Sequence, residues 1–392
     1  MLNFSSFFLF FFSHVDCIIS FHDPPSFPTR CLSFSTARTS HIHKYIHIHT
    51  RSFSLCSAIK DCASSTSRSV LAPSSALLSL PAVEEAAASL PESLHQRLLH
   101  LRDTQLLRGC GFSVIRSMPV EQWGDACSAS AFLVLSRVLG ALLPQNAAAH
   151  VLGHVTDLGL SSKDPTVRVY QTHERQTFHT DSCDIVGLLM LRPALSGGDS
   201  FLVSAGALYN ALHERVSALL PFLLDPIATD RRGEVLPGQK PYFNIPVFSF
   251  EQGALSIMYQ RQYIDSAQRF SDAPRLTEQH VAALDILDAL TNDSSMQVRM
   301  RLRPGDMQFV HNHTILHDRS AFSDGPEPSQ CRHLLRTWIA PDSPLVQPLS
   351  PCFKQRFGTL IPGLRGGVCL QDAKPTASWL PPARADATVK LA

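Results

Sequence analysis

The chain has 392 residues, 44% of them hydrophobic and 17% charged, which is ample for one sizeable core. A formal net charge of +1, without a basic stripe interleaved with aromatics, removes any broad electrostatic case for nucleic acid or a membrane surface. Ten cysteines are scattered without CxxC pairs, so mostly free, buried thiols in a reducing compartment are expected, with Cys183 a small core filler.

Residues 1–80 differ in composition from the rest. Six Lys/Arg stand against Asp16, Asp23 and Asp61, serine is abundant, and no glutamate occurs before Glu84. The run from Phe7 to Phe12 is far too short to span a bilayer, so no membrane span is expected. A basic, Ser-rich, acid-poor leader fits an organellar transit peptide, placing the protein in a mitochondrion or plastid; without a real leader it would be cytoplasmic. The His41–His49 patch is assigned to this leader. Residues 81–392 are expected to form the functional domain.

Val83 to Leu107 reads as helix interrupted near Pro91, Gly111 to Ile115 as a strand, and Glu121 to Leu143 as a long helix. Val167 to Tyr170, Ile185 to Leu191 and Ser200 to Val203 read as strands, with Gly197-Gly198 marking a turn between the last two. Ala205 to Leu220 and Thr277 to Leu290 have helical spacing; in the second, Val281, Leu284, Leu287 and Leu290 recur on one face. Gln297 to Leu302 alternates, with Val298, Met300 and Leu302 to one side. Met307 to Val310 and Arg332 to Ile339 complete the strands. Helices followed by many short strands predict an α+β fold, with a β-sandwich or jelly roll and helical additions.

The chemistry-bearing segment is His179-Thr180-Asp181, followed far downstream by His317 and Arg336. Two imidazoles and one carboxylate make the three-ligand face that a non-haem Fe(II) uses while keeping other positions open. In extended backbone, residues i and i+2 share a side, so His179 and Asp181 can grip one ion together, with His317 supplied from a strand near the opposite end of the roll. An HxD alone is weak in a chain with 18 histidines. His311, His313 and His317 share strand parity, which leaves the third ligand open among them. A rival set, His179, Asp181 and Asp184, would suit a hydrolytic or structural divalent ion but leaves the later segments unexplained.

Four segments in order change the balance: Phe178-His179-Thr180-Asp181, Gly197-Gly198-Asp199-Ser200, Asn312 to Arg319, and Arg332-His333-Leu334-Leu335-Arg336-Thr337-Trp338. Over roughly residues 110–340 the chain resembles the taurine dioxygenase (TauD/TfdA-like) family of Fe(II)/2-oxoglutarate-dependent oxygenases. The resemblance implies a double-stranded β-helix (jelly roll) core, Fe(II) held by His179, Asp181 and His317, and 2-oxoglutarate and O2 as co-substrates. It implies that 2-oxoglutarate is held by Ser200, which stands where the family usually has threonine, and by Arg336, with Arg332 four residues earlier as the alternate. Arginine's rigid fork suits such a carboxylate.

The retained carboxylate of Asp181 implies hydroxylation or oxidative dealkylation of a small organic molecule, with succinate and CO2 as by-products. Two alternatives are an oxygenase acting on a macromolecule and a catalytically silent jelly-roll binding protein. Tyr170, Gln171, Asn312 and the Met258-Tyr259-Gln260-Arg261 stretch are the candidates for the substrate pocket. Asp230-Arg231-Arg232-Gly233-Glu234 reads as a solvated loop.

Overall fold

The structure is a computed structural model that describes residues 79–164, 167–368 and 374–377. The proposed leader, including the His41–His49 patch, lies outside the described residues. In chain order the elements begin with α1 (Leu80–Ala88), α2 (Glu92–Leu101), a π turn (Arg102–Leu107), β1 (Phe112–Ile115), α3 (Val120–Leu139), β2 (Ala141–Leu143) and β3 (Leu152–Val155). There follow β4 (Gln176–His179), β5 (Ile185–Arg192), β6 (Ser196–Gly197), β7 (Ser200–Ser204), α4 (Ala205–Val216) and α5 (Leu220–Leu224). Next come β8 (Ile227–Asp230), β9 (Tyr242–Ile245), β10 (Phe248–Glu251), β11 (Ala254–Ile257), α6 (Arg261–Ala267) and α7 (Glu278–Thr291). The last are β12 (Gln297–Met300), β13 (Met307–His311), β14 (Ile315–Arg319), β15 (Phe322–Ser323), β16 (His333–Ala340) and α8 (Lys354–Phe357).

Two antiparallel sheets dominate. The larger runs β1-β13-β5-β16-β2, with β3 also paired to β16; the smaller runs β12-β7-β14-β4. Their inner faces meet in a shared core of Val186, Val310 and Trp338 from the first sheet and Leu202 and Ile315 from the second. Behind the larger sheet, α1, α2 and α3 pack through Phe132 and Leu135 onto Leu189, Phe309, Leu335 and Ile339. Behind the smaller, Leu208, Leu212, Leu284 and Leu287 of α4 and α7 cover Val203 and Leu316. Strand alternation therefore decides which side chains reach the interior. Along β16, Leu335, Thr337 and Ile339 turn toward α3, with Thr337 bonded to Ser136 (Oγ1···Oγ 3.0 Å), whereas Arg336 and Trp338 turn inward.

Three expectations shift. Val167 to Tyr170 is not a strand: Val169–Gln171 forms a 3-10 turn. The long helix stops at Leu139 rather than Leu143, because Ala141–Leu143 pairs with β16. The approach is so tight that a Cβ at Gly140 would come within 2.4 Å of the Ala340 carbonyl. Val281 and Val298 are each 37% exposed instead of buried. Val298 lies on β12, one of the two outer strands of the smaller sheet, while α7 buries Ala283, Leu284 and Leu287.

Candidate active site

β4 ends at His179, and the two residues after it are held by side contacts rather than by a ladder. The Thr180 amide donates to the Tyr259 carbonyl (2.9 Å), and its hydroxyl accepts from the Tyr259 amide (3.0 Å). The Asp181 amide donates to Asn312 Oδ1 (3.1 Å). His317 does not come from the far end of the roll. It sits on β14, the strand next to β4, as the direct register partner of His179, and the two rings lie 4.1 Å apart. Ligand atoms of His179, Asp181 and His317 all fall within 4.8 Å of one another, the sole such cluster among the described residues.

The electrostatics suit a metal. Burial drives His317 down to about 3 and lowers His179 as well, so both imidazoles are neutral at pH 7 with lone pairs available. Nδ1 of His317 is buried without a partner. Burial pushes Asp181 up, but Arg336, the two imidazoles and the Trp338 indole outweigh it and hold the carboxyl at about 2. Trp338 Nε1 donates to Asp181 Oδ2 at 2.9 Å and Arg336 Nη1 donates to the same oxygen at 3.2 Å. Two neutral imidazoles and an ionised carboxylate form the donor set that Fe(II) takes.

The two candidate arginines for the acid co-substrate are placed differently. Arg336 is spoken for: besides Asp181, its Nε donates to Gln145 Oε1 (2.7 Å), and its guanidinium lies over Tyr170 at 4.6 Å and Trp338 at 5.1 Å. Arg332 is not. Its Nε and Nη1 are buried without partners, and its contact to the Gly198 carbonyl is long, at 3.4 Å. Burial, with Arg319 beside it, brings Arg332 down to about 9. Gly198 admits this guanidinium, since a Cβ there would come within 2.8 Å of Arg332 Nε. Ser200, whose hydroxyl donates to Gln308 Oε1 (3.1 Å), is the register partner of Arg319. Because His317 and Arg319 are both inward residues of β14, Ser200 and Arg319 lie one inward step from the metal ligands.

His179 and Asp181 open into a cleft enclosing about 590 Å³ including its mouth, lined also by Tyr170, Met258, Tyr259, Gln260 and Arg336, while His317, Ser200 and Arg332 lie behind its lining. Gln171, Asn312 and Arg261 are not among its lining residues. Gln171 Oε1 accepts from the Arg168 amide (3.2 Å), and Arg261 pairs with Asp265, Asp285 and Asp288. Asn312 is fully buried and ties Asp181 to Cys183, so it shapes the ligand turn instead of facing substrate. The competing ligands are committed elsewhere. Asp184 accepts from His313 Nε2 (2.7 Å) and Arg365 Nε (2.8 Å), and His311 Nδ1 meets the Thr314 hydroxyl (2.9 Å). Cys183 is buried, and burial raises its thiol well above the usual range.

One wall of the cleft departs from the sequence expectation. Asp230, Arg231, Arg232 and Glu234 form no solvated loop; all are buried, and Asp230 and Arg231 line the cleft with Arg168, Phe243, Tyr263 and Arg356. No motif or periodicity marks these residues, and a run of alternating charge ordinarily faces water.

The family model "Taurine catabolism dioxygenase TauD, TfdA family" matches residues 79–338. An FR-33289 synthase of Streptomyces rubellomurinus is 35% identical over 243 residues, covering 60% of this chain and 70% of the relative. A uridine-5'-phosphate dioxygenase of an Amycolatopsis species is 28% identical over 186 residues, covering 44% of this chain and 63% of the relative. Among solved structures, asparagine oxygenase in complex with Fe(II), hydroxyasparagine and succinate aligns at a TM-score of 0.51 and 20% identity, over 66% of this chain and 82% of that one. A mutant of the non-heme iron oxygenase OrfP, in a complex with (3S)-hydroxy-L-Arg, aligns at 0.51 and 16% identity, over 67% and 84%. Matched by the family model over most of its described length, the chain belongs to the TauD/TfdA family and is a dioxygenase that works with Fe(II) and 2-oxoglutarate.

Proposed function

We propose that the protein hydroxylates, or oxidatively dealkylates, a small organic molecule on a double-stranded β-helix (jelly roll) core. One observation carries this reading: two neutral imidazoles and one ionised carboxylate converge within 4.8 Å at the base of a cleft, with an unpartnered His317 nitrogen. Relatives named for a nucleotide and for an amino acid substrate support a small molecule. An iron held there would supply, with 2-oxoglutarate and O2, the oxidising power for an unactivated C–H bond, with succinate and CO2 as co-products.

The chain's own residues supply binding, orientation and dryness. His179, Asp181 and His317 would hold the metal, with Trp338 and Arg336 fixing the Asp181 carboxylate. For the distal carboxylate of 2-oxoglutarate, the geometry supports Arg332 with Ser200 over the motif-based preference for Arg336. Arg332 has two buried N–H groups with nothing to bond, whereas Arg336 is already engaged with Asp181 and Gln145. Supplying an anion to buried, unpartnered donors gains charge-assisted hydrogen bonds and relieves a desolvated cation. Met258, Tyr259 and Trp338, all nearly buried, keep water from the metal side of the cleft.

The test is oxygen-dependent conversion of 2-oxoglutarate to succinate by purified protein with Fe(II) and a small-molecule panel. An anaerobic Fe(II)/2-oxoglutarate absorption band reports the chelate. Asp181→Ala should lose both the band and turnover; a variant that keeps both sinks the assignment.

A further inference from the structure

Three arginines build the wall of the cleft that the sequence concealed. Arg168 comes from the segment before the 3-10 turn, Arg231 from the turn after β8, and Arg356 from α8. Arg231 and Arg356 both lie over the Phe243 ring, at 5.2 and 5.6 Å. Glu234 is the carboxylate paired with them, in contact with Arg168 and 3.9 Å from Arg356 Nη2. Asp230 is already engaged by Arg269, Arg232 and the Ser266 hydroxyl. Three guanidinium groups against one carboxylate leave the wall at 3 − 1 = +2.

These charges are barely hydrated: side-chain exposure is 12% for Arg168 and 8% each for Arg356 and Glu234. Arg231 Nε is buried without a partner. Burial lowers Arg231, and burial with Arg168 and Arg231 nearby brings Arg356 down to about 10 despite Glu234. Crowding like charges out of water is unfavourable unless an anion joins them. The wall also touches the metal site: Arg356 Nε donates to Ser182 Oγ at 2.7 Å, and Ser182 directly follows Asp181.

We infer that the substrate carries a dianionic phosphoryl group, a phosphate ester or a phosphonate, that docks between Arg168, Arg231 and Arg356 within a few bonds of the carbon to be oxidised. This rests on the cleft being the substrate pocket of the proposed oxygenase. A phosphoryl group brings three acceptor oxygens and close to two charges at neutral pH, matching several guanidinium forks and an excess of +2. A carboxylate has too few oxygens to engage three forks, and a sulfonate has the oxygens but one charge.

The experiment is anaerobic calorimetry on protein loaded with Fe(II) and 2-oxoglutarate at pH 8, with methyl phosphate, methylphosphonate, methanesulfonate and acetate as probes. At least one phosphoryl probe should bind about tenfold or more tighter than methanesulfonate or acetate, and the better of the two identifies ester or phosphonate. Methyl phosphate binding should weaken as pH falls through about 6, where a phosphate monoester takes up its second proton. Arg231→Met should weaken the phosphoryl probe about tenfold or more, with Arg231→Lys intermediate; both are judged on protein that still shows the chelate band. No band in wild type would defeat the oxygenase reading itself. A band with equal binding of all four probes, or with affinity unchanged in Arg231→Met, would overturn the phosphoryl assignment alone.

Discussion

Asp181 and Asp184 lie three residues apart, both buried and both beside histidine and arginine, yet one faces a cleft and the other faces only protein. Around Asp184 the contacts are short and direct: His313 at 2.7 Å, Arg365 at 2.8 and 3.0 Å, and Arg365 Nη2 onward to the Gln347 carbonyl at 3.0 Å. Around Asp181 only the Trp338 indole is that close, at 2.9 Å. His317 Nε2 stands 3.9 Å away, its Nδ1 has no partner, and Arg336 reaches only to 3.2 and 3.4 Å. Residue type therefore does not distinguish a structural cluster from a reactive one. Between these two aspartates the difference is the hydrogen-bonding capacity left unused around Asp181, which is costly in a buried place unless a ligand takes it up.

That contrast can be broken in several ways. The largest effect is expected from Arg365→Met, which leaves Asp184 as a buried carboxylate held by His313 alone. Denaturant unfolding should show a loss of about 3–5 kcal/mol, while the folded fraction keeps its Fe(II)/2-oxoglutarate band. Unchanged stability would show that Asp184 is not the structural partner of the pair. Arg332→Met should do the reverse. Removing an unpaired buried guanidinium leaves thermal stability of the metal-free protein equal or higher. It raises the KM for 2-oxoglutarate roughly 10–100-fold, the equivalent of about 1.5–3 kcal/mol. A larger rise in Arg336→Met than in Arg332→Met would return the co-substrate role to Arg336.

The smallest effect concerns acid. His311 and His333 are each held at about 3 by burial, below the unfolded value of about 6.5. The unfolded chain takes up those protons first, so the stability these two residues contribute is complete above about pH 6.5 and drains as pH falls toward 3. Melting temperature should fall steadily from pH 7 to pH 4.5, and less steeply in His311→Gln. A flat profile would mean that these rings are not buried neutral.

Much of this was legible beforehand. Strands such as Ile185–Arg192 and Met307–His311 announce themselves as short apolar runs, because both faces are covered. The metal ligands were legible because their residue types and order are dictated by iron chemistry. The choice between Arg332 and Arg336 was not. Both are buried, and only the identity of their neighbours, Gly198 and Arg319 against Gln145 and Asp181, separates them. Asp230 to Glu234 was unreadable for a related reason: five polar or small residues carry no apolar face, and their burial depends on Phe243, α6 and α8 closing over them from distant segments.

The pairing of His179 with His317 has a mechanical side. β4 is the other outer strand of its sheet, and beyond it runs a single bridge from His179 to Gln260 and one amide contact from Thr180. An ion shared by β4 and β14 would thus rivet a marginal strand to its neighbour. Stripping that ion away would be felt first as faster amide exchange and easier proteolysis at 176–181, where a freed border would be open to adventitious association.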